Sequence, residues 1–170
     1  KVMNLSVSMI TFQGAAYLKA QMDSILGQSR PIQEIIVCDD GSTDETRAIL
    51  TEYAAIHPQI KLHFNEQNLG TVQNMQQCLR LTTGDIIFLT DQDDVWLPNK
   101  VEKTLAFFEQ NPAAEAVFSN AEIIDEVGEA QFGITLWDII GFPFCKVELT
   151  DFESRVDNVV TGAGLAFKRD

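Results

Sequence analysis

Short apolar stretches alternate along most of the chain with segments whose apolar residues recur at helical spacing. The short stretches are continuous and contain many β-branched residues, which is typical of buried strands. We predict strands at residues 5–11, 34–38, 60–64, 85–89 and 116–119, with a further strand-like stretch at 159–167.

Four segments between these strands predict helices. Three of them have an apolar face at helical spacing. These faces are Leu18, Met22, Ile25 and Leu26 in the first, Val72, Met75 and Leu79 in the third, and Val101, Leu105 and Phe108 in the fourth. The second helix is identified by its start, because Ser42 and Glu45 have the spacing of a capping box and predict a helix from there to about Ile56.

This repeated order of strand and helix predicts an α/β fold, with a mainly parallel central sheet flanked by helices on both faces. The pattern weakens after Asn120, where the acidic residues 122–129 predict a hairpin or a surface loop. The chain contains no internal repeat, low-complexity tract or flexible linker. We therefore expect residues 1–170 to form a single domain.

The composition is that of a globular protein with a strong negative charge. Asp and Glu number 25 against 12 Lys and Arg, and the formal net charge of -13 argues against a nucleic-acid partner. Cys38, Cys78 and Cys145 lack the spacing of a zinc site or a disulfide framework and are expected to be reduced core thiols. No apolar run reaches membrane-spanning length and no signal-like stretch opens the chain, so we expect a cytoplasmic protein.

The polar residues of greatest interest lie directly after predicted strands. Asp91, Asp93 and Asp94 follow the fourth strand, and Asp39 and Asp40 follow the second. Ligands of open α/β sheets bind outside the carboxyl ends of the strands, and a parallel sheet would bring both groups to that edge. Carboxylates this close repel one another, which favours a cation-binding site.

Structural explanations of these acids stay open from spacing alone. The residues after the fourth strand could form a polar turn before a helix, since acids favour helix N-termini. A calcium loop from Asp91 to Glu102 fails, because Val95 and Trp96 stand where an oxygen ligand and a glycine are required. The acids after the second strand have no evident structural task if the capping box forms, which favours a ligand there.

Two aromatic residues and two other protein classes also leave alternatives. Phe12 and Trp96 each either line a ligand site or pack in the core. A phosphorylatable receiver domain would carry paired acids after its first strand, where residues 8–12 have none. A sugar nucleotidyltransferase needs a glycine-rich basic loop near the N-terminus, and SMITFQG contains no Lys or Arg.

Five motifs in a fixed order make the chain resemble the family 2 inverting glycosyltransferases, which have the GT-A fold. They are SMITFQG (8–14), IIVCDDGSTDET (35–46), NLG (68–70), TGDIIFLTDQDDVWLP (83–98) and TGAGLAFKRD (161–170). Each motif is weak alone, but together they extend over nearly the whole chain. The resemblance implies an enzyme that moves a sugar from a nucleotide-diphospho-sugar to an acceptor hydroxyl with inversion, using Mn²⁺ or Mg²⁺.

The resemblance also implies where the donor binds, in a nucleotide-sugar-binding half at about residues 1–98. Asp91-Gln92-Asp93 corresponds to the family's DxD motif, with Asp93 as the direct metal ligand, Asp91 as a second, and Asp91 and Gln92 near the ribose. Asp94 would support this loop. The other implied nucleotide-sugar residues are Phe12 against the base, Asp40 accepting a hydrogen bond from the base, Asp39 beside it, and Thr11, Asn68 and Gly70.

The remaining residues, about 99–170, would form the start of the acceptor-side half. The implied acceptor-side residues are Trp96, Thr161, Gly162, Ala163 and Gly164. The family's catalytic base is a carboxylate downstream of the last motif, so we expect it beyond Asp170 and expect this chain to be the N-terminal catalytic portion. A portion that binds donor and metal without turnover is therefore an alternative function, as is a nucleotidyltransferase-like enzyme.

Two positions depart from the family pattern, namely Gln13, where Asn is usual, and Ile10, where proline is common. The form TDQDDVWLP resembles that of transferases in bacterial cell-surface polysaccharide assembly. This implies that the acceptor is a glycan or is linked to a lipid. An enzyme with a lipid-linked acceptor would associate peripherally with the inner face of the membrane.

Overall fold

The structure, a computed structural model, describes residues 3–140 and 164–169. Its elements confirm the predicted alternation of strands and helices. They are β1 (Leu5–Thr11), α1 (Leu18–Leu26), β2 (Glu34–Asp39), α2 (Thr46–Ile56), β3 (Ile60–Phe64), α3 (Thr71–Leu81), β4 (Ile86–Thr90), α4 (Lys100–Gln110), β5 (Ala116–Phe118), β6 (Glu122–Ile124), β7 (Ala130–Thr135), α5 (Leu136–Ile140) and β8 (Leu165–Lys168). No helix in the described ranges is long and apolar enough to cross a membrane.

The central sheet has the strand order β3-β2-β1-β4-β8-β5. Strands β1 to β4 pair in parallel, which confirms the mainly parallel α/β prediction and places their carboxyl ends at one edge. β8 is antiparallel to both of its neighbours, β4 and β5. β6 and β7 form a separate antiparallel pair, as the predicted hairpin requires.

The core lies between this sheet and its helices. Every residue of β1, β2 and β4 is buried, because helices cover both faces of the parallel strands. Two predicted helix faces are confirmed, since Leu18, Met22 and Ile25 of α1 are buried. The same holds for Val101, Leu105 and Phe108 of α4.

The predicted buried face of α3 is correct only in part, since Met75 packs against the buried cluster that contains Cys38 and Cys78 but Val72 does not. Val72 is 81% exposed, whereas Asn74 and Cys78 are the buried residues of this helix. The Asn74 side chain donates a hydrogen bond to the main-chain oxygen of Cys38 (2.9 Å), so a polar contact with β2 sets the rotation of the helix. Burying an amide costs little free energy when the amide is hydrogen-bonded, so a polar residue can occupy the buried face of a helix. A search for apolar periodicity does not detect such a residue.

The predicted capping box is wrong as well. α2 begins at Thr46, and Glu45 at its N-cap position makes no side-chain capping hydrogen bond. The Ser42 hydroxyl instead donates to the carboxylate of Asp39. This hydroxyl also accepts a hydrogen bond from the main-chain N–H of Gln13 (2.9 Å). Ser42 therefore joins two loops at the sheet edge rather than starting the helix.

The described cysteines confirm the prediction of reduced core thiols. Cys38 and Cys78 are both buried and free, on β2 and α3 respectively, while Cys145 lies outside the described residues. Their mutual hydrogen bond and their burial raise the pKa of the Cys38 thiol. Both thiols pack between helix and sheet, and neither contributes to the acidic edge.

Glu34 is a buried carboxylate at the opposite, amino-terminal edge of the sheet. It accepts hydrogen bonds from the Ser6 hydroxyl (2.5 Å), the Lys61 ammonium (2.8 Å) and the Thr83 main chain (2.7 Å). Burial opposes the charged form, but these hydrogen bonds outweigh it and hold the pKa of Glu34 at about 2. The carboxylate therefore ties β1, β3 and the start of β4 together.

The low pKa of Glu34 predicts acid sensitivity. The ionised form stabilises the fold fully above the ordinary pKa of 4.5, and this contribution is lost as the pH falls toward about 2. We expect the loss to be roughly 2–3 kcal/mol of unfolding free energy between pH 5 and pH 2. Urea unfolding of the wild type and Glu34→Gln at both pH values measures it. Equal pH dependence in the two proteins would contradict the prediction.

Candidate functional site

A cavity of about 260 Å³ opens at the carboxyl edge of the parallel strands. It lies where ligands of open α/β sheets bind, between the loops that follow β1, β2 and β4. Six of the predicted site residues line it, together with three that the sequence did not indicate. The lining residues are Ile10, Thr11, Phe12, Asp40, Thr71, Asn74, Asp91, Gln92 and Asp93.

Asp40 organises one wall of this cavity. Its carboxylate accepts hydrogen bonds from the Asn65 side chain (2.9 Å) and from the main-chain N–H groups of Leu69 (2.8 Å) and Gly70 (2.9 Å). The Asn68 side chain donates to the main-chain oxygen of Asp40 (3.1 Å). Asn68 and Gly70, predicted as nucleotide ligands, thus shape the loop that Asp40 holds and do not themselves line the cavity.

Asp39 lies beneath the cavity and is fully buried. Its carboxylate accepts hydrogen bonds from the Thr11 hydroxyl (3.0 Å), the Ser42 main chain (3.0 Å) and Arg47 Nε (2.5 Å). Arg47 also donates to the main-chain oxygen of Asn65 (2.6 Å). The expectation that both aspartates lack a structural task is therefore wrong, since each anchors a loop.

Gln13, one of the two departures from the family pattern, has a clear structural role. It adopts a left-handed conformation with φ of 51°. Its side-chain oxygen accepts hydrogen bonds from the main-chain N–H groups of Thr43 (3.0 Å) and Asp44 (3.1 Å). The loop after β1 is thereby fastened to the loop after β2.

The acidic loop after β4 forms the opposite wall. Asp91 is half-buried, and burial together with the charge of Asp93 raises its pKa. Burial and the charge of Asp91 likewise raise the pKa of Asp94. Lys100 lies near Asp94, and burial lowers the pKa of its ammonium despite that negative charge. Such shifts indicate a cavity wall whose negative charge is incompletely compensated.

The donor set fits a divalent cation that is shared with a ligand. Within residues 3–140 and 164–169, no three acidic, His or Cys side chains are grouped to hold a metal by themselves. Mg²⁺ and Mn²⁺ favour oxygen ligands, and Mg²⁺ is commonly held by one or two carboxylates plus substrate phosphates. Asp91 and Asp93 on the cavity wall supply that number of carboxylates.

Trp96 corresponds to the packing alternative rather than to an acceptor-site residue. Its side chain is buried in the main core, 5.7 Å from the Phe88 ring between centroids. Its main-chain N–H donates to the Ser24 hydroxyl of α1 (3.0 Å). The Gln28 side chain, just after the end of this helix, donates to the main-chain oxygen of Leu97 (2.9 Å). Polar residues of α1 and of the turn that follows it thus hold the acidic loop from below.

The acceptor side is only partly described. Thr161, Gly162 and Ala163 lie outside the described residues. Gly164 accepts a hydrogen bond from the main-chain N–H of Ser119 (3.0 Å), and a Cβ there would lie 2.6 Å from the Ser119 oxygen. Its lack of a side chain therefore permits the pairing of β8 with β5.

Three cavity residues were missed, namely Ile10, Thr71 and Asn74. Asn74 is almost fully buried and accepts a hydrogen bond from the Asn65 side chain (2.9 Å), which in turn donates to Asp40. The signal for Asn74 was its place one helical turn before Cys78 on α3. Phe12, in contrast, is 47% exposed on the cavity wall, so the alternative that it is a core residue is wrong.

Comparison with known proteins agrees with this architecture. The sequence profile of the family described as glycosyl transferase family 2 matches residues 6–169. A putative glycosyltransferase EpsE from Bacillus subtilis is 37% identical over 73% of this chain and 45% of its own length. The Escherichia coli UDP-Glc:alpha-D-GlcNAc-diphosphoundecaprenol beta-1,3-glucosyltransferase WfgD is 31% identical over 71% of this chain and 47% of its own. The chain thus spans less than half of each relative.

Solved structures show the same fold. S. aureus TarS in complex with UDP has a TM-score of 0.66 at 23% identity, over 76% of this chain and 38% of its own. The mannosyltransferase PcManGT from Pyrobaculum calidifontis, in complex with GDP-Man and Mn²⁺, has a TM-score of 0.68 at 21% identity, over 98% of this chain and 45% of its own. The expected GT-A fold is confirmed, and the chain belongs to glycosyl transferase family 2.

Proposed function

We propose that this chain binds a nucleotide-diphospho-sugar in the cavity and supports transfer of the sugar to an acceptor hydroxyl in cell-surface polysaccharide synthesis. One observation carries the proposal: the same cavity is lined by the exposed ring of Phe12, the buried carboxylate of Asp40 and an acidic wall whose negative charge is incompletely compensated. These are the groups that a base, a diphosphate and a bridging cation require. The family membership and the names of the relatives support the reaction class.

The base would lie between Phe12 and Asp40. The exposed Phe12 ring offers a flat apolar surface on which a base can stack. A carboxylate has about four acceptor sites, and Asp40 uses three of them on Asn65, Leu69 and Gly70. One site is left to accept a hydrogen bond from a ring N–H of the base. The three existing hydrogen bonds already hold the carboxylate in place, so it need not move to accept the fourth.

The diphosphate would lie toward Asp91 and Asp93, which would hold the cation. A bound Mn²⁺ or Mg²⁺ supplies Lewis-acid stabilisation of the departing diphosphate. Behind these carboxylates, Asp94 accepts a hydrogen bond from the main-chain N–H of Asp91 (3.4 Å) and lies near Lys100, and the neighbouring Trp96 packs into the core. Each cavity carboxylate therefore has a task at the donor. We propose that the base for the acceptor hydroxyl, which inversion requires, lies outside the described residues.

The test is thermal unfolding with UDP, GDP or dTDP, each with and without Mn²⁺. A ligand that binds only the folded state adds about 2.7 kcal/mol of stability at a concentration a hundredfold above its Kd. We expect one nucleotide to raise the unfolding temperature in a Mn²⁺-dependent way. Asp93→Ala should remove the Mn²⁺-dependent part of this increase, because Asp93 lines the acidic wall.

Glu126→Ala is the matched control, since Glu126 is an exposed acid on the β6–β7 turn and does not line the cavity. It should respond to nucleotide and Mn²⁺ as the wild type does. A wild type that no nucleotide stabilises, or an Asp93→Ala protein with the full Mn²⁺-dependent increase, would overturn the proposal.

A second candidate function is donor binding without turnover. The chain spans less than half of the relatives that it matches, which favours this reading of the chain by itself. Release of free nucleoside diphosphate from the sugar donor separates the two. Binding with release supports transfer chemistry in this chain, whereas binding without release supports the second function.

A further inference from the structure

Gln92 connects the acidic loop to the loop after β1 through two hydrogen bonds. Its side-chain oxygen accepts from the main-chain N–H of Phe12 (2.8 Å). Its side-chain nitrogen donates to the main-chain oxygen of the same residue (2.9 Å). The amide thus satisfies both main-chain groups of Phe12, much as a neighbouring strand would. We call this pair of hydrogen bonds the Gln92 clip.

Gly14 provides the space that the clip occupies. A Cβ at Gly14 would lie 2.0 Å from the side-chain oxygen of Gln92 and 2.3 Å from its amide carbon. The three heavy atoms nearest to this position all belong to Gln92. Gly14 does not have the left-handed conformation that favours glycine, so its requirement is one of space. The turn after β1 is therefore shaped to admit this particular side chain.

The clip acts on a residue whose ring is not fixed by packing in the core. Phe12 is 47% exposed on the cavity wall, so core packing cannot by itself fix the ring. On its other side, Gln13 is fastened to the loop after β2. The main chain at Phe12 is thus held between two glutamine side chains, and among the residues that the structure describes Gln92 is the one that hydrogen-bonds it to the acidic loop.

We propose that Gln92 is a positioning residue, which fixes the main chain of Phe12 so that the ring meets the nucleobase. It belongs to the acidic loop by sequence but acts on the base side of the site. This rests on the proposed function, since the ring has a task only if a nucleotide binds. The alternative is direct contact of Gln92 with the ribose, and the two make different predictions.

The first experiment tests the clip in the protein without ligand. Gly14→Ala should lower the unfolding temperature of the wild type by several degrees, because the new Cβ displaces Gln92. In a Gln92→Ala background, the same substitution should cost less than half as much, because the space is vacated. Equal costs in both backgrounds would show that Gly14 and Gln92 are independent and would overturn the clip.

The second experiment tests what the clip does for binding. Gln92→Met keeps the length of the side chain but makes neither hydrogen bond. We expect Gln92→Met and Phe12→Leu each to weaken binding of the nucleoside diphosphate that stabilises the wild type, by about tenfold. The double variant should bind it no more than about threefold more weakly than either single variant. Binding of inorganic pyrophosphate with Mn²⁺ should stay within twofold of the wild type in Gln92→Met, because the acidic wall is intact.

Other outcomes overturn the role in identifiable ways. Losses that multiply to about a hundredfold in the double variant would indicate direct contact of Gln92 with the donor. An equal loss of pyrophosphate binding would indicate a collapsed acidic loop. A wild type that binds no nucleotide overturns the proposed function itself, and with it this role of Gln92. If the wild type binds nucleotide but the losses of binding free energy in the two single variants add up in the double variant, only the positioning role of Gln92 is overturned.

Discussion

Replacing Asp40 with alanine should abolish nucleotide binding and lower the unfolding free energy by roughly 2–4 kcal/mol. The substitution leaves the Leu69 and Gly70 N–H groups and the Asn65 amide without their carboxylate partner. Because Gly70 directly precedes α3, the loss should also loosen the start of the helix that carries Asn74. Urea unfolding measures the stability, and nucleotide-dependent thermal stabilisation measures the binding.

Asp125→Ala is the matched control for Asp40→Ala. Asp125 also accepts hydrogen bonds from two main-chain N–H groups, those of Val127 (3.0 Å) and Glu129 (2.9 Å), but in an exposed turn away from the cavity. We expect about 1 kcal/mol of destabilisation and unchanged nucleotide binding. If Asp40→Ala were no more costly than Asp125→Ala, or still bound nucleotide normally, the assigned role of Asp40 would be wrong.

Replacing Phe88 with alanine should cost roughly 3–5 kcal/mol of unfolding free energy. Phe88 is fully buried at the centre of β4 and packs against Trp96 at 5.7 Å between ring centroids. The cavity left behind would lie beneath the acidic loop, because β4 leads directly into Asp91. We therefore expect weaker Mn²⁺-dependent nucleotide binding in whatever fraction stays folded, measured alongside denaturant unfolding.

Two further variants qualify the Phe88→Ala result. Phe88→Leu keeps much of the apolar volume and should cost less than half as much. Phe132→Ala removes the same side chain from a position that is 92% exposed, and should change the unfolding free energy by less than about 0.5 kcal/mol. A similar cost at both phenylalanines would contradict the placement of Phe88 in the core.

Much of the fold followed from apolar patterning. The bounds predicted for β1 and β3 agree with the structure, as do the buried faces of α1 and α4. These elements bury simple apolar faces, and burial of apolar surface is what a one-dimensional pattern reports. The grouping of acids after β2 and β4 also followed, because parallel strands bring their carboxyl ends to one edge.

Polar contacts between loops were not predictable in this way. Ser42 and Glu45 have the spacing of a capping box, but the Ser42 hydroxyl donates to Asp39 instead. The rotation of α3 likewise depends on the side chain of Asn74 reaching the main chain of β2. In both cases the partner belongs to β2, as Asp39 or Cys38, and neither the capping-box spacing nor apolar periodicity reports a contact with a strand.

By itself, the sequence determined the α/β architecture, the family and the edge of the sheet at which the acidic residues gather. The architecture and the edge followed because burial, the alternation of strands and helices and the carboxyl-edge rule depend on residue type and order. The family followed from a resemblance that five motifs in a fixed order carry. Only the tertiary structure decided the task of each polar residue: Asp39 is fully buried, Asp40 lines the cavity and Gln92 holds Phe12. Neighbouring residues of one kind, such as Asp39 and Asp40, differ in their hydrogen-bond partners, and those partners come together only when the chain folds.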